Sequence, residues 1–300
     1  MIYTVTLNPA VDYNLELTNT LKPGINRTKN ENIHFGGKGI NVSVVLNRLG
    51  VNNVALGFIA GFTGNALKSN LSLEGIKTDF LVLDGFTRIN VKVKGEPPLE
   101  INGSGPFVDE QSLITLINSL KMLNKEDVVV LCGSLPNGLK NDTYKRIITE
   151  LNKQNIKTVL DSSGEALKAA ISASPYLIKP NLSELSFLLG KKILVEKDCI
   201  EGAKTLQKFG AQNVLVSMGE LGAILVQKDG TVMREEAVRG NVINAVGAGD
   251  SLLAGFIAAL SNKEDVRTAL KKAVKIGSAT AFSEGLASKN ILEKIFNDKL

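Results

Sequence analysis

The feature that most limits how this chain can fold is a rhythm. Apolar runs of strand length alternate with stretches of helical period from one end to the other. Ile2–Leu7 reads as a strand. Lys38–Leu49 reads as a helix, with Val42, Val45, Leu46 and Leu49 on one stripe and Gly50 closing it. A strand at Asn53–Ile59 precedes a helix at Gly64–Glu74, which ends at Gly75. Further on come strands at Asp127–Leu131, Thr158–Leu160, Tyr176–Lys179 and Asn213–Ser217. Between them lie helices at Asp142–Lys153, Glu165–Ala173, Leu182–Leu189 and Cys199–Phe209. Strands and helices in this alternation predict an α/β fold, a mostly parallel central sheet with helices on both faces.

Two stretches break the rhythm. Residues 11–33 are polar and extended. Residues 88–103 contain a two-residue alternation, with Ile89, Val91 and Val93 on one face and Asn90, Lys92 and Lys94 on the other, as expected of a half-exposed strand. Together these segments predict a small β-sheet projecting from the core as a lid. The last third is helical, at Asp250–Leu260, Val266–Ser283 and Asn290–Asn297. With no repeat or linker, residues 1–300 are expected to form one domain carrying that lid.

Composition removes several chemistries. Two cysteines (Cys132, Cys199) and one histidine (His34) cannot build a Cys₂His₂ or Cys₄ zinc site, a disulfide framework or a two-histidine mechanism. Reduced thiols fit a cytoplasmic setting. A formal charge of +5, without any block of Lys and Arg, gives no footing for nucleic acid. The start of the chain lacks the pattern of a signal peptide, and no apolar run approaches the roughly 20 residues of a membrane span.

Two glycine-bearing segments lead into helices. In Asn244-Ala245-Val246-Gly247-Ala248-Gly249-Asp250-Ser251 the glycines allow close backbone approach, and amides at a helix start attract an anion. Asp250 there is either an N-cap or a base on a hydroxyl that accepts a phosphoryl group. Phe35-Gly36-Gly37-Lys38-Gly39-Ile40-Asn41-Val42 fails the dinucleotide fingerprint, because Val42 stands where its third glycine would be, and no phosphate-binding G-x-x-x-x-G-K-[ST] occurs in the chain. Lys38 and Asn41 either reach toward an anionic substrate or decorate a glycine-rich turn. Asn181 and Glu184 of Lys179-Pro180-Asn181-Leu182-Ser183-Glu184 fit a capping box. Val216-Ser217-Met218-Gly219-Glu220-Leu221-Gly222 is a strand ending in a glycine turn.

Taken in order, these segments resemble the PfkB family of carbohydrate kinases, of ribokinase-like fold, over nearly the whole chain. Gly36–Val42 looks like the N-terminal signature and Gly247–Asp250 like the C-terminal one. Asn181 and Glu184 look like the N-x-x-E motif. Ala245 departs from the Ser, Thr or Pro usual in the family. Thr4–Asp12, Thr87–Val91, Glu100–Gly103, Gly133–Pro136 and Asp161–Leu167 are similar to the branch of 1-phosphofructokinases and tagatose-6-phosphate kinases.

The resemblance implies transfer of a phosphoryl group from ATP, with Mg²⁺, to a sugar phosphate. Fructose 1-phosphate is the expected acceptor and tagatose 6-phosphate, or another sugar, the alternative. It implies Asp250 as base, with Gly247, Ala248 and Gly249 as the anion hole. Asp12, Gly36, Gly37, Lys38 and Asn41 fall on the sugar. Lys179, Asn181, Glu184, Ser217, Gly219 and Gly222 fall on the nucleotide, with Asn181 and Glu184 near Mg²⁺, partly through water. Arg27, Lys38 and Arg88 lie in the segments placed at the substrate end, with Ser134, and such cations favour a phosphorylated acceptor. A homodimer through the lid strands is expected as well. Competing readings are a non-catalytic sensing module on the same fold and a dinucleotide oxidoreductase, against which the failed fingerprint counts.

Overall fold

A computed structural model describes residues 1–95 and 98–297. The first elements are β1 (Ile2–Thr6), β2 (Ala10–Leu17), β3 (Thr28–Gly36), α1 (Lys38–Arg48), β4 (Asn53–Ala60), α2 (Gly61–Leu73) and β5 (Lys77–Leu83). Then come β6 (Arg88–Lys94), β7 (Leu99–Asn102), α3 (Glu110–Leu120), β8 (Val128–Cys132), α4 (Thr143–Asn152), β9 (Lys157–Asp161), α5 (Gly164–Ile171) and β10 (Leu177–Ile178). The chain continues through α6 (Leu182–Leu189), α7 (Glu196–Lys208), β11 (Asn213–Ser217), β12 (Ala223–Val226) and β13 (Val232–Glu235), and ends in α8 (Ala248–Ser261), α9 (Val266–Ala281) and α10 (Lys289–Asn297).

Nine strands form one sheet in the order β13-β12-β11-β10-β9-β8-β1-β4-β5. All neighbours run parallel except β11–β12 and β12–β13. Its central strands are apolar on both faces. In β8, Val129 and Leu131 join a core with Leu113, Ile147, Leu167 and Leu206 of α3, α4, α5 and α7. Val130 and Cys132 point the other way, into a core with Val45, Leu253, Phe256 and Ala273 of α1, α8 and α9. Burial on both sides explains why the sequence gives unbroken apolar runs here rather than an alternation. Gly39 lets α1 lie close over this sheet, since a Cβ there would come within 2.4 Å of Thr6 Oγ1. Ten of the 14 residues of α8, Asp250–Ala259, are buried, so this helix is a central support rather than a surface cover.

The chain leaves β1 toward β4 and β5 on one side and later adds β8 to β11 on the other. The crevice beyond the carboxyl ends of β1 and β8 is thus the switch point, where open α/β sheets bind ligands.

The segments expected as a lid form a separate sheet, β3-β2-β6-β7. Their bounds differ from the expectation. β2 and β3 form a hairpin reaching Gly36, so Gly36 ends a strand instead of opening the helix. Residues 88–103 hold two antiparallel strands, not one; positions 96 and 97 between them, and 298–300 at the end of the chain, lie outside the described residues. Cross-strand register keeps the alternation. Asp12 faces His34 and Asn90, while Val11 faces Phe35 and Ile89.

Elements β5, α3, β12 and β13 carry no assignment in the sequence reading. The clearest missed signal is α3, where Asp109 caps the helix by accepting from Ser112 N at 2.7 Å. β12 and β13 are four residues each, too short to show a period.

Candidate active site

Strand ends and the starts of three helices, α1, α6 and α8, converge at the switch point. Asp161 closes β9 with its side chain wholly buried. Lys38, the first residue of α1, donates to Asp161 Oδ1 at 2.8 Å and reaches Glu184 Oε1 at 3.3 Å. Lys179, just past β10 and 4% exposed, lies 3.1 Å from the other oxygen of Asp161. One buried carboxylate therefore holds two lysines. Burial pulls the Lys38 ammonium down, but Asp161 and Glu184 more than offset this and hold it above the usual lysine range.

Asp250 enters the same cluster from α8. Gly247, in the left-handed region at φ 81°, is the N-cap, so Asp250 is the third helical residue and not the cap that the sequence left open. Its side chain is buried, and Oδ2 accepts from Asn41 Nδ2 at 2.7 Å. Asn41 lies on α1 one turn beyond Lys38, which is why the Gly-Lys-x-x-Asn spacing matters. Burial pushes the Asp250 carboxyl up to about 6, and the Asp161 charge adds to the rise. The Asn41 bond, Lys179 and Lys38 act against it.

The glycine loop before α8 differs from expectation in one respect. The Ala248 amide already donates to the Ala245 carbonyl at 3.2 Å, which removes it from the expected anion hole. Among the described residues the amides of Gly247 and Gly249 have no protein acceptor. A Cβ on Gly249 would come within 3.4 Å of Lys179 Nζ, so the ammonium lies beside these amides and adds to the positive end of the helix.

The nucleotide-side residues occupy the adjoining strand ends. Asn181 and Glu184 form a complete capping box on α6. Asn181 Oδ1 accepts from Glu184 N at 2.8 Å, and Glu184 Oε2 accepts from Asn181 N at 2.9 Å. Ser217 ends β11 and bridges to Asn181. Gly219 and Gly222 shape the turn into β12, where a Cβ on Gly222 would strike the Glu235 carbonyl at 2.0 Å. Among the described residues no group of three or more His, Cys, Asp or Glu could hold a metal. Glu184, with one oxygen on Lys38 and the other on the Asn181 amide, offers a single carboxylate with spare lone pairs on both oxygens. That donor set fits Mg²⁺, a hard cation that keeps most of its waters and takes phosphate oxygens for the rest.

The sugar-side residues lie where the small sheet meets the large one. Asp12 accepts from Asn90 Nδ2 at 2.7 Å and pairs with Lys92 at 3.2 Å. A Cβ on Gly36 would sit 3.7 Å from Asp12 and 3.8 Å from Asn41, so Gly36 floors the space between them. Gly37 caps α1 at φ 122°. Arg88 opens β6 half-buried; burial pulls its guanidinium down and Asp12 counters this. Ser134 follows β8 and is exposed. Arg27 is not brought in. It is exposed just before β3, and Asp12 lies five residues, about 17 Å of strand, back from the tip of the hairpin. His34 is exposed on the same strand face as Asp12.

Sequence reasoning missed Asp161, Asn90 and Lys92 as site residues. The signal for Asp161 was there: a carboxylate directly after the apolar run Thr158–Leu160, at the carboxyl end of a parallel strand.

Residues 5–293 match the pfkB family of carbohydrate kinases. A protein of Bacillus subtilis named 1-phosphofructokinase is 41% identical over 295 residues, covering 98% of this chain and 97% of that one. A D-tagatose-1-phosphate kinase of Bacillus licheniformis is 38% identical with the same coverage. A crystal structure of phosphofructokinase-2 from Escherichia coli with substrates and products superposes with a TM-score of 0.90 at 29% identity, covering 98% of each chain.

Proposed function

The chain belongs to the pfkB family of carbohydrate kinases, and from that premise we propose that it transfers the γ-phosphoryl group of ATP to fructose 1-phosphate, giving fructose 1,6-bisphosphate. One observation carries this reading. A buried carboxylate, Asp250, stands at the start of α8 between open glycine amides and a path through Asn41 and Gly36 to Asp12, around which Arg88 and Lys92 gather.

In this mechanism the sugar hydroxyls bind Asp12, and the phosphate of the acceptor takes Arg88. The accepting hydroxyl meets Asp250 Oδ1, the oxygen that Asn41 leaves open. Asp250 removes the hydroxyl proton as the oxygen attacks phosphorus, and a carboxyl near 6 is ionised at neutral pH yet basic enough to share that proton. Charge developing on the transferred group faces the Gly247 and Gly249 amides and Lys179, all fixed before the reaction. Lys38 lies on the same side, anchored by Asp161. Ser217, Gly219 and Gly222 border the nucleotide, and Ser134 the sugar. Glu184, with Asn181, would hold Mg²⁺, which would supply charge neutralisation on the ATP phosphates.

The assembly belongs to the same proposal. The face of the small sheet that carries Val11, Tyr13, Ile33, Phe35 and Ile89 lines a hollow of about 510 Å³. Ile33 and Ile89 remain 53% and 40% exposed there. A second copy covers this face, giving a homodimer, and Arg27 at the hairpin tip serves a site only in such an assembly. No described helix is long and apolar enough to cross a membrane, and the two reduced, buried thiols suit the cytoplasm.

The relative named for D-tagatose 1-phosphate supports one second reading, a ketohexose 1-phosphate of different configuration as acceptor. A coupled assay of ADP release with fructose 1-phosphate, tagatose 1-phosphate, tagatose 6-phosphate, fructose 6-phosphate and free fructose decides between them. The highest kcat/KM is expected for fructose 1-phosphate. Turnover confined to an unphosphorylated sugar refutes the reading.

A further inference from the structure

Lys92 plays no part in the roles assigned so far beyond its bond to Asp12, yet its surroundings are those of a ligand site. In β6 the side chains of Arg88, Asn90 and Lys92 share one face, the face on which Asp12 stands directly opposite Asn90. Lys92 reaches back to Asp12 from one side, 3.2 Å away, and Arg88 acts on Asp12 from the other. Asp12 is therefore the meeting point of two cations and has one negative charge to offer them.

Three polar atoms in this neighbourhood are buried without a partner: Arg88 Nε, Asn90 Oδ1 and Asn8 Oδ1, the last beside Arg88 across Gly105. Asn90 is only 7% exposed, so its carbonyl is withheld from water as well as from protein. Buried polar atoms left unpaired cost free energy. Arg88 Nε is a donor that an anion satisfies, and the two amide oxygens are acceptors that suit the hydroxyls of the same ligand, so the unpaired set beside a surplus cation fits a sugar phosphate. Lys92 also borders a hollow of about 360 Å³ with Asn14, Asn32 and Glu100, which leaves its amine room to move off Asp12.

We infer that Lys92 is a specificity-determining residue for the acceptor: it binds the phosphate group of the sugar phosphate together with Arg88. On binding it exchanges Asp12 for that phosphate, and Asp12 Oδ2 is released to accept a sugar hydroxyl. The local charge supports this exchange. Asp12, Arg88 and Lys92 sum to one positive charge, so a phosphate dianion leaves one net negative charge in the site. Without Lys92 that excess doubles. A free sugar brings no anion to draw Lys92 away, and Asp12 stays engaged with the lysine. Selection for a phosphorylated acceptor thus resides in one lysine that changes partner. The inference rests on the sugar-phosphate reading above.

The test uses full-length Lys92→Met and Lys92→Arg proteins beside the wild type. Steady-state kinetics with fructose 1-phosphate, with ATP as the varied substrate, and with free fructose are combined with calorimetric binding of fructose 1-phosphate in the absence of ATP. Loss of one charge-assisted bond predicts a fall of about thirtyfold in kcat/KM for the sugar phosphate in Lys92→Met, carried mainly by KM. The KM for ATP is expected within twofold of the wild type, and kcat/KM for free fructose unchanged or raised. Lys92→Arg is expected to recover to within about fivefold. A Lys92→Met enzyme within threefold of the wild type on the sugar phosphate overturns the inference, as does an equal loss toward ATP or free fructose. If the wild type neither binds nor phosphorylates the sugar phosphate, the function reading falls and this inference with it. A wild type that does both, beside an unaffected Lys92→Met, refutes this inference alone.

Discussion

Replacing Asp250 by Asn separates what this carboxylate does for the reaction from what it costs the fold. Burial, with Asp161 nearby, holds Asp250 at about 6 against an ordinary 3.8, a rise of roughly two units. At about 1.4 kcal/mol per unit, ionised Asp250 costs the folded state ~3 kcal/mol above pH 6. The sign follows from proton binding. Between pH 3.8 and 6 the native chain keeps a proton that the unfolded chain has lost, so stability falls as pH rises through this window. Above it, the whole penalty is present. Asn is isosteric and neutral, and its carbonyl can accept the same bond from Asn41. Asp250→Asn should therefore be more stable than the wild type by ~3 kcal/mol at pH 8. With ~2.1 cal/mol/K of unfolding entropy per residue, a chain of 300 residues gains about 5 °C in Tm. The same variant should lose about 10²–10⁴ in kcat, as expected for removal of a general base. Scanning calorimetry of both proteins from pH 5 to 8, with turnover at pH 8, tests the pair of effects. The gap in Tm should narrow as pH falls toward 5. A variant no more stable than the wild type at pH 8, or a gap independent of pH, refutes the account of Asp250 as a strained, charged base.

Other expectations follow from the same cluster. Asp161→Asn leaves Lys179 and Lys38 without their shared counter-charge. Breaking a buried pair from one side costs ~3–5 kcal/mol, so the variant should melt about 5 °C lower, and an unchanged Tm in a thermal melt would contradict the role given to Asp161. Gly249→Ala adds a methyl beside Lys179 Nζ with no backbone strain. It should keep its Tm within about 2 °C while losing at least about tenfold in kcat/KM for ATP, because the methyl lies where a phosphate oxygen would; normal kinetics would remove this loop from the anion site. Gly247→Ala forces a left-handed residue against Leu286, 2.8 Å from the new Cβ, and should lower stability by at least ~1–2 kcal/mol in denaturant titration. For the wild type, kcat/KM for the sugar should fall with unit slope below about pH 6 as Asp250 takes up its proton; a flat profile down to pH 4.5 would exclude Asp250 as the base.

Much of the fold could be read without coordinates, because its central strands are buried on both faces and its helices are amphipathic. The strand expected at Asn213–Ser217 and the helix expected at Leu182–Leu189 coincide with β11 and α6. The short antiparallel edge of β12 and β13 escaped notice, since four residues carry no period and their pairing is set by the neighbouring strand. Asp250, Asn41, Lys38, Lys179, Asn181 and Glu184 were each legible as residues. That Asp250 is the third residue of α8 and not its cap was not, because this depends on the left-handed backbone at Gly247. Nor was the removal of Ala248 from the anion hole, which depends on where the Ala245 carbonyl turns.

The sequence by itself determined the alternation of strands and helices, the glycines that open α1 and α8, and the absence of zinc-finger, disulfide or paired-histidine chemistry. These are local properties, fixed by side-chain period, backbone freedom and the kinds of residue present. Only the tertiary structure decided that Asp161 lies between Lys38 and Lys179, 123 and 18 residues away in the chain. It also decided that Lys92 and Arg88 meet at Asp12, while Arg27 stays at the tip of a hairpin. Burial and charge pairing are sums over groups that the chain brings together from distant positions. The chemistry of a single residue in this site follows from which neighbours the sheet's switch point assembles around it.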